Sequence, residues 1–204
     1  MLAVIDYGAG NLRSVVHALR SLGVRDMHVV QDGAGLRGAQ RIMLPGVGAF
    51  GAGMQQLREK SFIDPLLSAI DSGIPCLGIC LGMQFLFERS DEMGEHAGLG
   101  LLPGHVTRFP PHATLKVPHM GWNDLARRQD SPLLTHVTAD SQFYFVHSFC
   151  CVPGCREDVI ATTDYGIEFA SAVQRGALFG VQFHPEKSQQ VGLQMLRNFL
   201  KYVP

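Results

Sequence analysis

A thiol, an imidazole and a carboxylate stand in patterns that suit nucleophilic catalysis. Cys80 lies in Gly78-Ile79-Cys80-Leu81-Gly82. This has the form of a nucleophile elbow, a sharp strand-to-helix turn whose small residues two places away on each side let the flanking backbones pass closely. The unpaired amides that open the following helix favour a thiolate. A core cysteine between two turn glycines has the same pattern, so the assignment needs a base. His184-Pro185-Glu186 offers one at the end of an apolar run. Residues two apart in extended chain share a side, and a proline favours extended backbone at the residue before it. In that geometry Glu186 orients the ring and His184 moves the proton. Alone, the tripeptide also fits an ordinary surface turn.

Gly46-Val47-Gly48-Ala49-Phe50-Gly51 matches the dinucleotide pattern G-x-G-x-x-G after a strand. That use also needs an acidic residue about 20 positions on, at the end of the next strand. Asp71 has the spacing but closes a helical stretch before Gly73. The loop therefore reads as a source of backbone amides for a developing oxyanion. Gly8-Ala9-Gly10 is a weaker match, with Arg13 where a third glycine should stand. Cys150, Cys151 and Cys155 lack the second ligand pair of a zinc site and read as structural or incidental thiols.

The elements around these residues alternate in an α/β pattern. Residues 2–5 are expected as a buried strand. Asn11 then caps a helix with Leu12, Val15, Val16 and Leu19 inward, closed by Gly23. Strands follow at 27–30 and 41–44, the second stopped by Pro45-Gly46. Helices over 54–58 and 62–70, a short strand at 76–79 and a helix over 81–87 surround Cys80. Strand-like runs at 143–149, 159–163, 169–173 and 177–183 are spaced closely, which indicates antiparallel pairing. A helix over 191–200 closes the chain, with Leu193, Leu196, Phe199 and Leu200 inward. No repeat, low-complexity tract or linker interrupts the pattern, so one domain over 1–204 is expected.

Composition narrows the function classes. Hydrophobic residues at 46% and charged ones at 17% suit a soluble globular chain. A formal net charge of −1 leaves no footprint for nucleic acid or an anionic membrane surface. No apolar run approaches the roughly 20 residues of a bilayer span. With no secretory signal and five scattered cysteines, a reducing cytoplasm is the expected compartment.

Together the segments resemble the class I glutamine amidotransferases. Gly78-Ile79-Cys80-Leu81-Gly82-Met83-Gln84 is similar to that family's nucleophile motif. Gly180-Val181-Gln182-Phe183-His184-Pro185-Glu186 is similar to its histidine–glutamate motif, and Pro45-Gly46-Val47-Gly48 to its oxyanion strand. Asp6-Tyr7-Gly8-Ala9-Gly10-Asn11-Leu12-Arg13-Ser14, Pro118-His119-Met120-Gly121-Trp122-Asn123 and His184-Pro185-Glu186-Lys187-Ser188 narrow the likeness to one branch, across essentially the whole chain. The implied fold is a flavodoxin-like, open and mostly parallel sheet flanked by helices, with additional antiparallel strands in the C-terminal half.

The implied substrate is L-glutamine, with no cofactor and no metal. Cys80 would form a glutamyl thioester, with His184 as proton carrier and Glu186 as its orienter. The Val47 and Leu81 amides would bind the oxyanion, with a rearrangement around Val47 to bring its amide inward. Gly46, Gly48, Gln84 and His147-Ser148-Phe149 would hold the substrate. The family usually has tyrosine where Phe149 stands, which removes a hydroxyl but no backbone contact. The ammonia would pass to a (β/α)8-barrel synthase or cyclase subunit in a heterodimer. Asn11, Arg13, Met120, Trp122, Asn123 and Lys187 would form the docking face. Trp122, the sole tryptophan, suits an interface anchor or plain core packing. A glutaminase serving another amination pathway, or a non-catalytic binding subunit on this fold, would share most of these features.

Overall fold

The computed structural model describes residues 1–8 and 12–204; the cap and docking position expected at Asn11 lie outside them. The N-terminal half runs β1 (Leu2–Ile5), α1 (Leu12–Ser21), β2 (Met27–Val30), β3 (Arg41–Gly46), α2 (Phe50–Glu59), α3 (Ile63–Asp71), β4 (Cys76–Cys80) and α4 (Leu81–Gln84). Next come β5 (Phe87–Ser90), β6 (His96–Ala97), β7 (Leu102–Arg108), β8 (His119–Asp124), β9 (Ala126–Arg127), β10 (Gln142–His147) and β11 (Phe149–Pro153). The chain ends with β12 (Val159–Asp164), β13 (Glu168–Arg175), β14 (Leu178–Val181) and α5 (Gln189–Lys201).

Strands β2-β1-β3-β4-β14 lie side by side and parallel. This is the doubly wound order in which ligands bind outside the carboxyl ends of the strands. Beyond β14 the same 12-stranded sheet turns antiparallel through β13, β11 and β7, and then adds β5 and β6. β12 pairs with β13 and β9, while β8 and β10 form a separate two-stranded sheet. Alternating residues sort the core onto two faces. Ala3, Ile5, Ile42 and Leu44 pack with Phe50, Met54, Leu57 and Leu66 of α2 and α3. Leu2, Val4, Met43 and Ile79 pack with Val15 and Leu19 of α1 and with Met195, Leu196 and Phe199 of α5.

Four local expectations are corrected. β3 does not stop before Pro45 but runs through Gly46, pairing Pro45 with Ile79 and Gly46 with Cys80. The β1 ladder on its other side ends at Met43, so the missing proline donor costs no sheet hydrogen bond there. The helix after Cys80 ends at Gln84, and Phe87 opens β5 instead. Phe85, Leu86 and Phe87 are all buried, and a fully apolar run carries no period that separates helix from strand. The run 143–149 breaks at Ser148, sending β10 to β8 and β11 to the large sheet. α2 also starts earlier, at Phe50, because Gly53 lets it press on Phe85; a Cβ there would meet the ring at 2.4 Å.

Candidate active site

Cys80 ends β4 at φ +55°, ψ −111°, a conformation that L side chains rarely adopt. The close approach of three backbones explains its flanking glycines. A Cβ on Gly78 would lie 2.5 Å from the Gly82 carbonyl oxygen, and one on Gly82 only 1.8 Å from that of Leu44. α4 is a single turn of four residues, so its dipole is a smaller source of thiolate stabilisation than a long helix would be. The buried Gln182 side chain adds another, donating from Nε2 to Cys80 Sγ at 3.7 Å.

The base comes from the adjacent strand. His184 follows β14, and its backbone is fixed from two sides: its N–H donates to the Tyr144 carbonyl at 2.9 Å, and its carbonyl accepts from Ser188 Oγ at 2.7 Å. Nδ1 bonds Glu186 Oε1 at 2.7 Å, with both side chains only 3% exposed. That bond leaves Nε2 beside Cys80, buried and without a regular hydrogen-bond partner among the described residues. Burial lowers the His184 pKa, but hydrogen bonding and charge from Cys80 and Glu186 outweigh it, pushing it up from 6.5 to about 9. The arrangement suits a thiolate–imidazolium pair.

These groups open on a cleft of about 420 Å³ lined by Val47, Gly48, Cys80, Leu81, Gln84, Glu92, Pro118, His147, Ser148, Phe149 and His184 among others. Its size lies within the usual small-molecule range of about 300–1,000 Å³. Gly46 sits one step behind, where a Cβ would meet the Tyr7 hydroxyl at 2.5 Å. Burial and the neighbouring Cys80 drive the Tyr7 pKa up, and the approaching Val47 amide partly offsets this. The other buried thiols are inert by comparison: burial pushes Cys76 up to about 12, and burial with Asp91 pushes Cys150 up to about 11.

A family model described as glutamine amidotransferase class-I matches residues 3–203. The chain is 50% identical to imidazole glycerol phosphate synthase subunit HisH of Desulfitobacterium hafniense, over 100% of this chain and 95% of that one. It is 48% identical to the HisH subunit of Salinibacter ruber, over 98% of this chain and 93% of that one. The chain belongs to the class I glutamine amidotransferases, in the HisH family. A solved structure of PurLQS from Thermotoga maritima shares the fold at TM-score 0.76 and 20% identity, covering 100% of this chain and 98% of that one.

In this HisH-family chain the docking residues expected from sequence divide. Met120 and Trp122 project from β8 with 61% and 44% exposure, so Trp122 is no core residue. The Trp122 and Tyr144 rings lie 5.9 Å apart, and Lys187 Nζ stands 5.8 Å over the Tyr144 ring. Arg13 is exposed on α1. Asn123 instead turns inward, its amide bonding the Asp164 carbonyl, the Asp124 N–H and His119. Strand alternation explains the split, since residues 120 and 122 face one side and 119 and 123 the other.

Sequence reasoning missed Glu92 and left Gln182 without a role. Glu92 is the carboxylate in the cleft lining, and its Oε2 accepts the Phe50 N–H at 2.7 Å, supplying α2 with the cap that Ala49 cannot. Nothing in its neighbourhood of several acidic residues marks it out, because the partner amide is 42 residues away. For Gln182, the strand alternation that aims His184 was a usable signal, since it sends residue 182 to the same side.

Proposed function

We propose that this chain is the glutamine-hydrolysing subunit of an imidazole glycerol phosphate synthase in histidine biosynthesis. The observation that carries this reading is the His184–Glu186 pair, 2.7 Å apart and buried, beside a thiol on a strained elbow in a HisH-family chain. With its proton already on His184, the Cys80 sulfur attacks the carboxamide carbon of glutamine. The amide oxygen becomes an oxyanion, bound by the amides of Leu81 and Val47 once the 46–48 segment turns the Val47 N–H from Tyr7 into the cleft. Gly48, at φ +99°, is the permissive point for that turn. His184 then protonates the departing nitrogen, releasing ammonia and leaving a glutamyl thioester. Water, deprotonated by His184, displaces the sulfur and frees glutamate.

Glu92 accepts the substrate's α-ammonium, and Gly46, Gly48, Gln84, His147, Ser148 and Phe149 shape that end of the cleft. The ammonia passes to a (β/α)8-barrel synthase or cyclase subunit that docks on Arg13, Met120, Trp122 and Lys187. There it combines with a phosphorylated ribulosyl aminoimidazole carboxamide nucleotide, yielding imidazole glycerol phosphate and aminoimidazole carboxamide ribotide. Glutamate release is therefore expected to be slow for the isolated chain and strongly stimulated by the partner loaded with its nucleotide. Equal rates with and without the loaded partner would contradict the reading.

A further inference from the structure

An unbroken file of polar groups, half-buried at Asn123 and Phe149 and buried at His119, His147, Gln84 and Gln182, runs from the strand that carries Met120 and Trp122 to the nucleophile. Asn123 Nδ2 donates to the Asp164 carbonyl at 2.9 Å and reaches His119 Nε2 at 3.3 Å. His119 Nδ1 meets His147 Nε2 at 3.1 Å, and His147 Nδ1 meets the Phe149 carbonyl oxygen at 2.8 Å. The same carbonyl accepts from Gln84 Nε2 at 3.1 Å, which also donates to Gln182 Oε1 at 3.0 Å. Gln182 Nε2 then donates to Cys80 Sγ at 3.7 Å.

Every proton in this file has one consistent place. The Asp124 N–H bonds Asn123 Oδ1 at 2.9 Å, which makes Nδ2 the donor toward His119. His119 must then accept at Nε2 and donate from Nδ1. From the other end, the Phe149 carbonyl can only accept, so His147 donates from Nδ1 and accepts at Nε2. The two ends agree on neutral rings in the same tautomer. Burial supports this, lowering His119 to about 4. It also lowers His147, to about 3, with His119 and His184 adding to the fall and the Phe149 carbonyl opposing it. A neutral His147 leaves His184 as the cationic ring among the imidazoles lining the cleft.

We infer that the file Asn123–His119–His147–Phe149–Gln84–Gln182 positions the Cys80 sulfur from the docking strand, with Gln182 as the group that holds the thiolate. Gln182 is fully buried, and its orientation follows from Gln84, whose own orientation follows from the Phe149 carbonyl. An N–H donated to an ionised sulfur is a charge-assisted bond and strengthens as the thiolate forms. A partner pressing on Met120 and Trp122 moves β8, and β8 carries His119 and Asn123 on its opposite face. The coupling to a partner rests on the function proposed above; the hold on the sulfur does not.

The test is the pH profile of Cys80 alkylation by iodoacetamide, read by peptide mapping of the full chain in a Cys155→Ser background that removes the one partly exposed competing thiol. Gln182→Leu is expected to slow alkylation at neutral pH roughly tenfold while keeping the limiting alkaline rate. His119→Leu is expected to slow it by a smaller factor, and His119→Asn, which keeps a donor toward His147, to restore most of the loss. A merely structural role would lower thermal stability and leave the profile unmoved. Wild-type profiles in Gln182→Leu and His119→Leu would overturn the inference. Should Gln182→Leu not fold, the His119 pair decides. Glutamine hydrolysis by the loaded complex separates the two readings: normal hydrolysis with unmoved profiles sinks the file alone, and moved profiles without hydrolysis sink the proposed function alone.

Discussion

On one side of the cleft, Cys80 is aimed by backbone; on the other, the wall formed by β8, β10 and Phe149 is tied together by side chains. The elbow depends on glycines at 78 and 82 whose missing Cβ atoms would fall within 2.5 Å and 1.8 Å of carbonyl oxygens. Such contacts have no soft partner to yield. Across the cleft, Gly121 of β8 has nothing within 4 Å of its would-be Cβ, and the binding forces are hydrogen bonds of 2.8–3.3 Å among His119, His147, Asn123 and the Phe149 carbonyl. The first arrangement fixes a reacting atom. The second leaves a wall that can respond to a partner.

Gly82→Ala should break the elbow outright. The added Cβ collides with the Leu44 carbonyl, so denaturant unfolding is expected to show a loss above about 3 kcal/mol, with glutamine hydrolysis abolished. Glu186→Gln should leave the fold intact and lower kcat/KM roughly 10²-fold. It keeps an acceptor for Nδ1 but removes the charge that helps raise His184. The imidazolium is lost as pH rises through about 9, so the alkaline limb of the wild-type profile belongs there, and in the variant it moves to lower pH. The same pairing stabilises the fold fully below pH 6.5 and fades as pH rises through about 9. An alkaline limb that stays in place would mean that Glu186 does not act through His184.

Smaller effects sharpen the contrast. Gly121→Ala meets open space and bears only the strain of φ +135°, so its cost should stay within about 1–3 kcal/mol. A loss equal to that of Gly82→Ala would erase the distinction between the two walls. Tyr7→Phe removes a buried hydroxyl that has no regular hydrogen-bond partner among the described residues. Thermal melts should show stability unchanged or raised by up to about 1 kcal/mol. A clear loss would make the Val47 amide a stronger partner than its geometry suggests.

What could be read from sequence alone was whatever the chemistry packs into adjacent residues. Gly78 to Gly82 and His184 to Glu186 each specify their own backbone, so their geometry was legible before any contact was seen. Pro45-Gly46, by contrast, looked like the end of a strand that in fact runs through it. The buried parallel strands were legible as well, because short apolar runs bounded by turns leave few alternatives. Glu92, Gln182 and the His119–His147 pair were not, since each acts on a group brought near only by the sheet topology. Asn123 was expected at the docking face, and the alternation along β8 instead turns its side chain toward His119 and the Asp164 carbonyl. The early end of α4 reflects tertiary demand, with Phe87 claimed by its pairing to Leu102.

The most direct test of the central claim is glutamate release by the assembled complex, with nucleotide bound, when the chain carries Cys80→Ala. The account predicts a fall of roughly 10⁴-fold or more, while the same complex still makes product from added ammonia. An unchanged glutamine-dependent rate would contradict it.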